Sequence, residues 1–294
     1  MKTLSFKPQV KTVISFCIMC LGLSACQKSL PGSDVAAGAK SSVNIFITDD
    51  PSLVFDHVFL DISKVEIKVE DSSEAEHESK HESESDDHDH NGEVSGGWMN
   101  VDIQAGVYDI LAFRNGLDTL FASGSFSSTK KLKKVRLTLG KNNSVEVGGI
   151  SSPLTIKGND NFVVIKIDES QVQVNNGGLT NFWMDIDAGQ SIRKHNNEFE
   201  LKPSVKVFSK EKSGSLEGRV FPKDAAAVVT ATNGTDTSTA KPEDEGEFKF
   251  IGLKPGTWTL LYHATAGNYK DTTITNIIVG GKEDVKLNNV TLRK

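Results

Sequence analysis

Apolar and polar residues alternate with period two along most of the chain from residue 43 onward. Val43, Ile45 and Ile47 open the series. Thr48-Asp49-Asp50-Pro51 stops it, because a proline cannot donate to a strand ladder. Val58, Leu60 and Ile62 alternate next, followed by Val65, Ile67 and Val69. The parity flips between Ile62 and Val65, so one strand keeps both sets inward only with a bulge near Ser63-Lys64. Strand pattern resumes over 98–103 and 108–113, and Arg114-Asn115-Gly116 signals a turn. Leu117, Leu120 and Phe121 have helical spacing and predict a turn or two of helix before Gly124. Further strands are predicted over 132–139, 145–147, 154–157, 162–167, 172–174, 182–186 and 199–208. Turns such as Asn175-Asn176-Gly177-Gly178 separate them.

Ser209–Ser215 is polar and predicts a hinge, with the linker proper at 209–213. Alternation then restarts. Glu245 to Leu260 predicts a hairpin turning at Pro255-Gly256, with Phe248, Phe250, Trp258 and Leu260 as core positions. Many short strands with frequent turns make the expected fold all-β: two tandem β-sandwich-type domains over 43–208 and 214–294.

The first 42 residues follow other rules. Basic Lys2, Lys7 and Lys11 precede an apolar run from Val13 to Leu21 and then Leu23-Ser24-Ala25-Cys26. This is the order of a signal peptide over 1–25, and the run is far short of the roughly 20 residues that span a bilayer. Leu-Ser-Ala-Cys resembles the lipobox of bacterial lipoproteins. The resemblance implies cleavage before Cys26 and its acylation, palmitate included. Residues 26–42 are small and polar and form an expected flexible tether. Gln27 after the cysteine resembles an outer-membrane address. The expected location is therefore the cell envelope, lipid-anchored to the outer membrane, with the membrane itself as a partner.

Charge sharpens the division. The net charge is −6, and loss of the three leader lysines makes it −9. Residues 70–93 hold eleven acidic residues against one lysine, −10 in all, so the remainder is near neutral at +1. No broad basic field exists for nucleic acid. Residues 70–96 carry almost no apolar side chains to repay ordering and are expected to be a disordered insertion. Cys17 and Cys20 leave with the leader and Cys26 carries lipid, which leaves neither a disulfide nor a thiol nucleophile.

The motifs TDDP, Tyr108–Gly116 (YDILAFRNG), Val135–Leu139 (VRLTL), Phe182–Ile192 (FWMDIDAGQSI) and Phe199–Val207 (FELKPSVKV) occur in that order. They resemble the lipoprotein domain of unknown function, family four-three-eight-two, over residues 43–208. Residues 214–294, with Gly246-Glu247-Phe248-Lys249-Phe250 and Leu253-Lys254-Pro255-Gly256, resemble the carboxypeptidase regulatory-like module. That resemblance implies a seven-strand, transthyretin-like sandwich of the carbohydrate-binding-like group.

Candidate chemistry is sparse. His77, His81, His88 and His90 lie among carboxylates, which suits Zn or Cu, and weak binding of either is the expected limit without a rigid frame. No other cofactor is expected. His57, His195 and His263 are scattered singletons. Gly149-Ile150-Ser151-Ser152-Pro153 lacks the second glycine of a nucleophile elbow. Asp185 and Asp187 are expected to share a strand face in a turn or structural role. Trp183 and Trp258 read as core, while Trp98 stays open as a sugar-stacking ring. Lys130, Lys131, Lys133 and Lys134 read as a solvated strand edge, with contact to anionic lipid a weaker reading. The expected function is a non-enzymatic envelope protein that binds or scaffolds, its partner a polysaccharide or an envelope protein. The alternatives are a carbohydrate-binding accessory protein and a metal-capturing protein using the histidine loop.

Overall fold

A computed structural model describes residues 39–49, 55–71, 97–158, 160–196 and 198–294. The leader, Cys26, residues 27–38 of the tether and the four histidines of the acidic insertion lie outside the described residues, while Lys40–Ser42, expected to be tether, are already strand.

The first sandwich uses fourteen strands. They are β1 (Lys40–Thr48), β2 (His57–Asp71), β3 (Trp98–Asn100), β4 (Asp102–Ile103), β5 (Gly106–Asp109), β6 (Thr119–Ser127) and β7 (Lys130–Leu139). There follow β8 (Ser144–Val147), β9 (Ile150–Ile156), β10 (Phe162–Lys166), β11 (Leu179–Ile186), β12 (Ile192–His195), β13 (Glu198–Leu201) and β14 (Val205–Phe208). One sheet runs β14-β11-β1-β6-β4; the other runs β10-β7-β2-β8-β9-β13-β12, with β3 and β5 also pairing β2. Val43, Ile45 and Ile47 of β1, Val65 and Ile67 of β2, and Val135 and Leu137 of β7 join one core. The parity flip in β2 is met by a bulge: Ile62 opposes Leu139 and Lys64 opposes Thr138, leaving Ser63 extra. β11 is buried on both faces. Phe182, Met184 and Ile186 enter the core, while Trp183 stacks on Phe46 and Phe208.

Four local expectations change. Residues 119–127 form β6 against β1 rather than a helix, because Phe121 and Phe126 turn inward while Leu117 and Leu120 stay exposed. The helical turn lies earlier, a 3-10 segment at Ile110–Phe113 that buries Ile110 and Leu111. Residues 172–174 are not a strand; Val172 is buried by a turn in which its N–H donates to the Asp168 carbonyl. The run 199–208 breaks around Pro203 into β13 and β14, which join different sheets.

The second sandwich holds β15 (Gly214–Phe221), β16 (Val228–Thr232), β17 (Thr237–Ala240), β18 (Glu247–Leu253), β19 (Gly256–His263), β20 (Thr272–Val279), β21 (Asp284–Lys286) and β22 (Val290–Thr291). Its sheets are β18-β15-β21, with β22 also on β15, and β17-β16-β19-β20. Phe248, Phe250, Trp258 and Leu260 are all buried as expected. The hairpin is not: β18 and β19 sit in opposite sheets, and Pro255 carries the chain across the core. Alternation fixes which side chains point inward and is blind to which sheet a strand joins.

Nor is 209–213 a hinge. Ser209 and Ser213 are buried, Ser209 N–H donates to the Gln171 carbonyl (2.9 Å), and Ser213 Oγ donates to the Ser209 carbonyl (2.8 Å). Phe208 packs directly over Gly252, where a Cβ would stand 2.5 Å from its ring. Asn115 Nδ2 donates to the Lys241 carbonyl (3.0 Å) and to Glu243 (2.7 Å). Two cores are thereby joined within one compact unit.

Candidate functional site

Polar residues of β2 interleave with its buried ones, so Lys64, Glu66 and Lys68 face away from the core. Glu66 lies opposite Arg136 of β7, which lies opposite Val164 of β10. One row along, Trp98 of β3, Lys68, Lys134 and Lys166 oppose one another in turn. Directly opposed residues share a face, so these side chains form one outer surface. Phe162 joins it opposite Thr138.

Glu66 is its anchor. It is 1% exposed and accepts from Arg136 Nε at 2.6 Å and from Lys64 Nζ at 2.7 Å. Burial pushes its carboxyl up, and the two cations more than reverse this, leaving it below its ordinary range. The Arg136 guanidinium carbon lies 4.5 Å from the Trp98 ring centre and 5.6 Å from that of Phe162. Its hydrogen bond to Glu66 is donated by Nε, and its terminal Nη groups make none among the described residues. Lys68 lies 3.8 Å from Glu70, while Lys134 and Lys166 have no ion pair among the described residues. Between the Lys68–Lys134 and Val69–Leu132 pairs β7 carries an extra residue, Lys133, placed beside Lys134. Phe162 and Val164 are exposed large apolar residues on this face.

Of the side chains singled out in the sequence, Trp98, Lys133 and Lys134 come together here. The lysine run is not a free edge: β7 lies between β2 and β10 from Lys134 on, and Lys130 and Lys131 oppose Asp71 and Glu70. Trp183 and Trp258 are buried, their indole N–H groups donating to Asp118 and to the Lys254 carbonyl. His57 and His263, read as isolated, each hold an aspartate: Asp109 at 2.7 Å and Asp271 at 2.9 Å. The hydrogen bond that the His57 ring donates to Asp109, opposed by burial, raises the His57 pKa. His195 ends β12 opposite Glu198. Gly149 turns the β8–β9 hairpin, and Ile150–Ile156 is strand.

Asp185 and Asp187 do not share a strand face. Asp185 stays in β11, whereas Asp187 caps the helical turn Ala188–Ser191 with both carboxylate oxygens taken by Gln190. The motifs converge at this end of β1. Thr48 Oγ1 reaches the Phe113 and Leu117 carbonyls at 3.1 Å each, and Ala188 N–H donates to Asp49. These polar groups hold the chain to itself.

Arg136, Glu66, Phe162 and Lys166 escaped the sequence reading. Each occupies an ordinary polar or apolar slot of its own strand, and only the register of β2, β7 and β10 gathers them. A glutamate between two lysines in an otherwise buried strand was the one available sign. Among the described residues no three metal-binding side chains cluster, and no helix is long and apolar enough to cross a membrane.

The molecule is thus of the all-β class, built of stacked sandwiches. Residues 40–203 match the family described as Domain of unknown function (DUF4382), and the chain belongs to that family. No curated protein matches it. Among solved structures it is similar to a type II cohesin-X-dockerin complex from Acetivibrio cellulolyticus at 22% identity, over 27% of this chain and 56% of that one, with TM-score 0.22. The TIE protein of Bacillus anthracis is 13% identical over 87% of this chain and 34% of its own, with TM-score 0.21. The minor pilin of Streptococcus agalactiae is 10% identical over 87% and 96%, with TM-score 0.21. The chain spans little more than half of the first and a third of the second. Nothing about function rests on likenesses this distant.

Proposed function

We propose that the chain is a non-enzymatic binding protein held at the outer membrane by acylated Cys26, with the outer face of β2, β7, β10 and β3 as its contact surface. One observation carries the reading. Arg136 is fixed by buried Glu66 and flanked by Trp98 and Phe162 on an exposed sheet face. A side chain already locked in place binds without a further ordering cost. The motif residues Thr48, Asp187 and Ser191 spend their hydrogen bonds on the chain's own backbone and on Gln190, which favours a scaffold over a reactive centre. Residues 214–294 are read as a carboxypeptidase regulatory-like module. In support, β21 and β22 extend one after the other along β15 and count together as the seventh strand.

Two measurements test this. Three acyl chains at about 0.8 kcal/mol per buried CH₂ exceed what stable anchoring needs, so Cys26→Ser loses both acylation and membrane retention. Mass spectrometry of the native N-terminus finds an unmodified cysteine if the anchor is wrong. For the face, a photo-crosslinker at Val164 captures an envelope component that one at Ile278, exposed on the second sandwich, does not. Identical capture from both positions, or none from either, sinks the contact surface.

A further inference from the structure

We propose that this face takes an acidic polysaccharide, a chain of sugars bearing carboxylate or sulfate groups. The inference rests on the reading of that face as the contact surface and names its ligand class.

Charge comes first. Lys64, Lys68, Lys133, Lys134, Arg136 and Lys166 stand against Glu66 and Glu70, an excess of four positive charges. Neutral sugar gives such an excess nothing to pair with. The rings come second. Trp98 and Phe162 flank Arg136 and offer apolar surface to sugar-ring faces, with the cation between them aimed at a substituent. The guanidinium keeps its two terminal nitrogens open, the fork that meets an oxyanion in two parallel hydrogen bonds. Repeat comes third. Lys68, Lys134 and Lys166 occupy three neighbouring strands, and strands lie about 4.8 Å apart. A row of cations at that interval matches a linear polymer carrying its charge at nearly every ring. It does not match a single small anion.

The full-length protein in detergent is titrated calorimetrically with polygalacturonate, dextran sulfate and neutral dextran, and is floated with vesicles containing phosphatidylglycerol. Binding to either anionic polymer and none to dextran is expected, and the tighter polymer identifies the anion. The affinity falls at least tenfold in Trp98→Ala and in Lys134→Gln/Lys166→Gln, and weakens as salt rises. Lys134 and Lys166 make no ion pair among the described residues, and circular dichroism checks that both variants keep the fold. Equal binding to dextran, vesicle flotation without polymer binding, or undiminished affinity in the lysine variant overturns the inference. If the Val164 crosslink still captures an envelope component while both polymers fail, the contact surface stands and only the ligand class falls.

Discussion

Glu66 shows how much one residue organises on an outer face. Its carboxylate is buried with one cation on each oxygen, so a glutamine there removes the countercharge and leaves only one acceptor for Arg136 and Lys64. Glu66→Gln is expected to cost about 1.5–3 kcal/mol, the range for hydrogen bonds to charged groups. The pH dependence has a definite sign. The folded-state carboxyl sits below the ordinary 4.5, so its stabilisation is complete above that value and fades as pH falls through the lowered one. Denaturant melts from pH 7 to 3 should show an acid limb in the wild type that is shallower in the variant. Equal limbs would remove Glu66 from the acid response. His57 runs the other way: its raised pKa lends stability below 6.5 that is lost as pH climbs through the folded value.

Elements were legible where one face is buried and the other wet. β1, both halves of β2 and the bulge between them follow from parity alone, and the structure carries all three. Leu117, Leu120 and Phe121 misled because a strand at its exposed start can mimic helical spacing. β18 and β19 misled because two inward-facing strands look alike whether they pair or face each other. The cation–aromatic face was unreadable for a related reason: its members come from four strands spread between Lys64 and Lys166 and meet only through register. The acidic insertion gives the element-scale prediction. β2 and β3 pair at Glu66–Asn100, Ile67–Met99 and Lys68–Trp98, and Val69 N–H donates to the Gly97 carbonyl, so the hairpin closes below the insertion. Replacing residues 72–89 by a short glycine-containing turn should leave the melting temperature within a few degrees. It should also abolish whatever weak Zn or Cu binding His77, His81, His88 and His90 supply. Unchanged metal uptake by calorimetry would place that binding elsewhere, and collapse of the fold would show a structural element inside the insertion.

At the scale of the whole molecule the two cores are coupled by contact as well as by chain. Gly252 has φ +72° and meets the Phe208 ring, so an added methyl group is strained by backbone and neighbour alike. Gly252→Ala should cost about 2–4 kcal/mol, combining left-handed strain with overpacking. In scanning calorimetry it should split or broaden the transition as the sandwiches uncouple. A single undisturbed transition would mean that this contact does not couple them. Residues 214–294 own a complete core and should fold alone, but at a lower temperature than in the intact chain, because the Asn115 and Phe208 contacts are lost. A fragment that melts without cooperativity would make the second sandwich a dependent half.

The position of β1 also sets a timetable. It is the earliest strand of its sheet, yet it sits in the middle, between β6 and β11, and its parallel pairing with β11 joins Ser42 to Leu179. A ribosome adding about 5–20 residues each second makes that partner many seconds after β1. Throughout that interval Val43, Ile45 and Ile47 have no finished sheet to enter. Pairing across so long a loop is slow even in a finished chain. The early apolar strand therefore waits for the late one, and this sheet cannot close around β1 until Leu179–Ile186 is present.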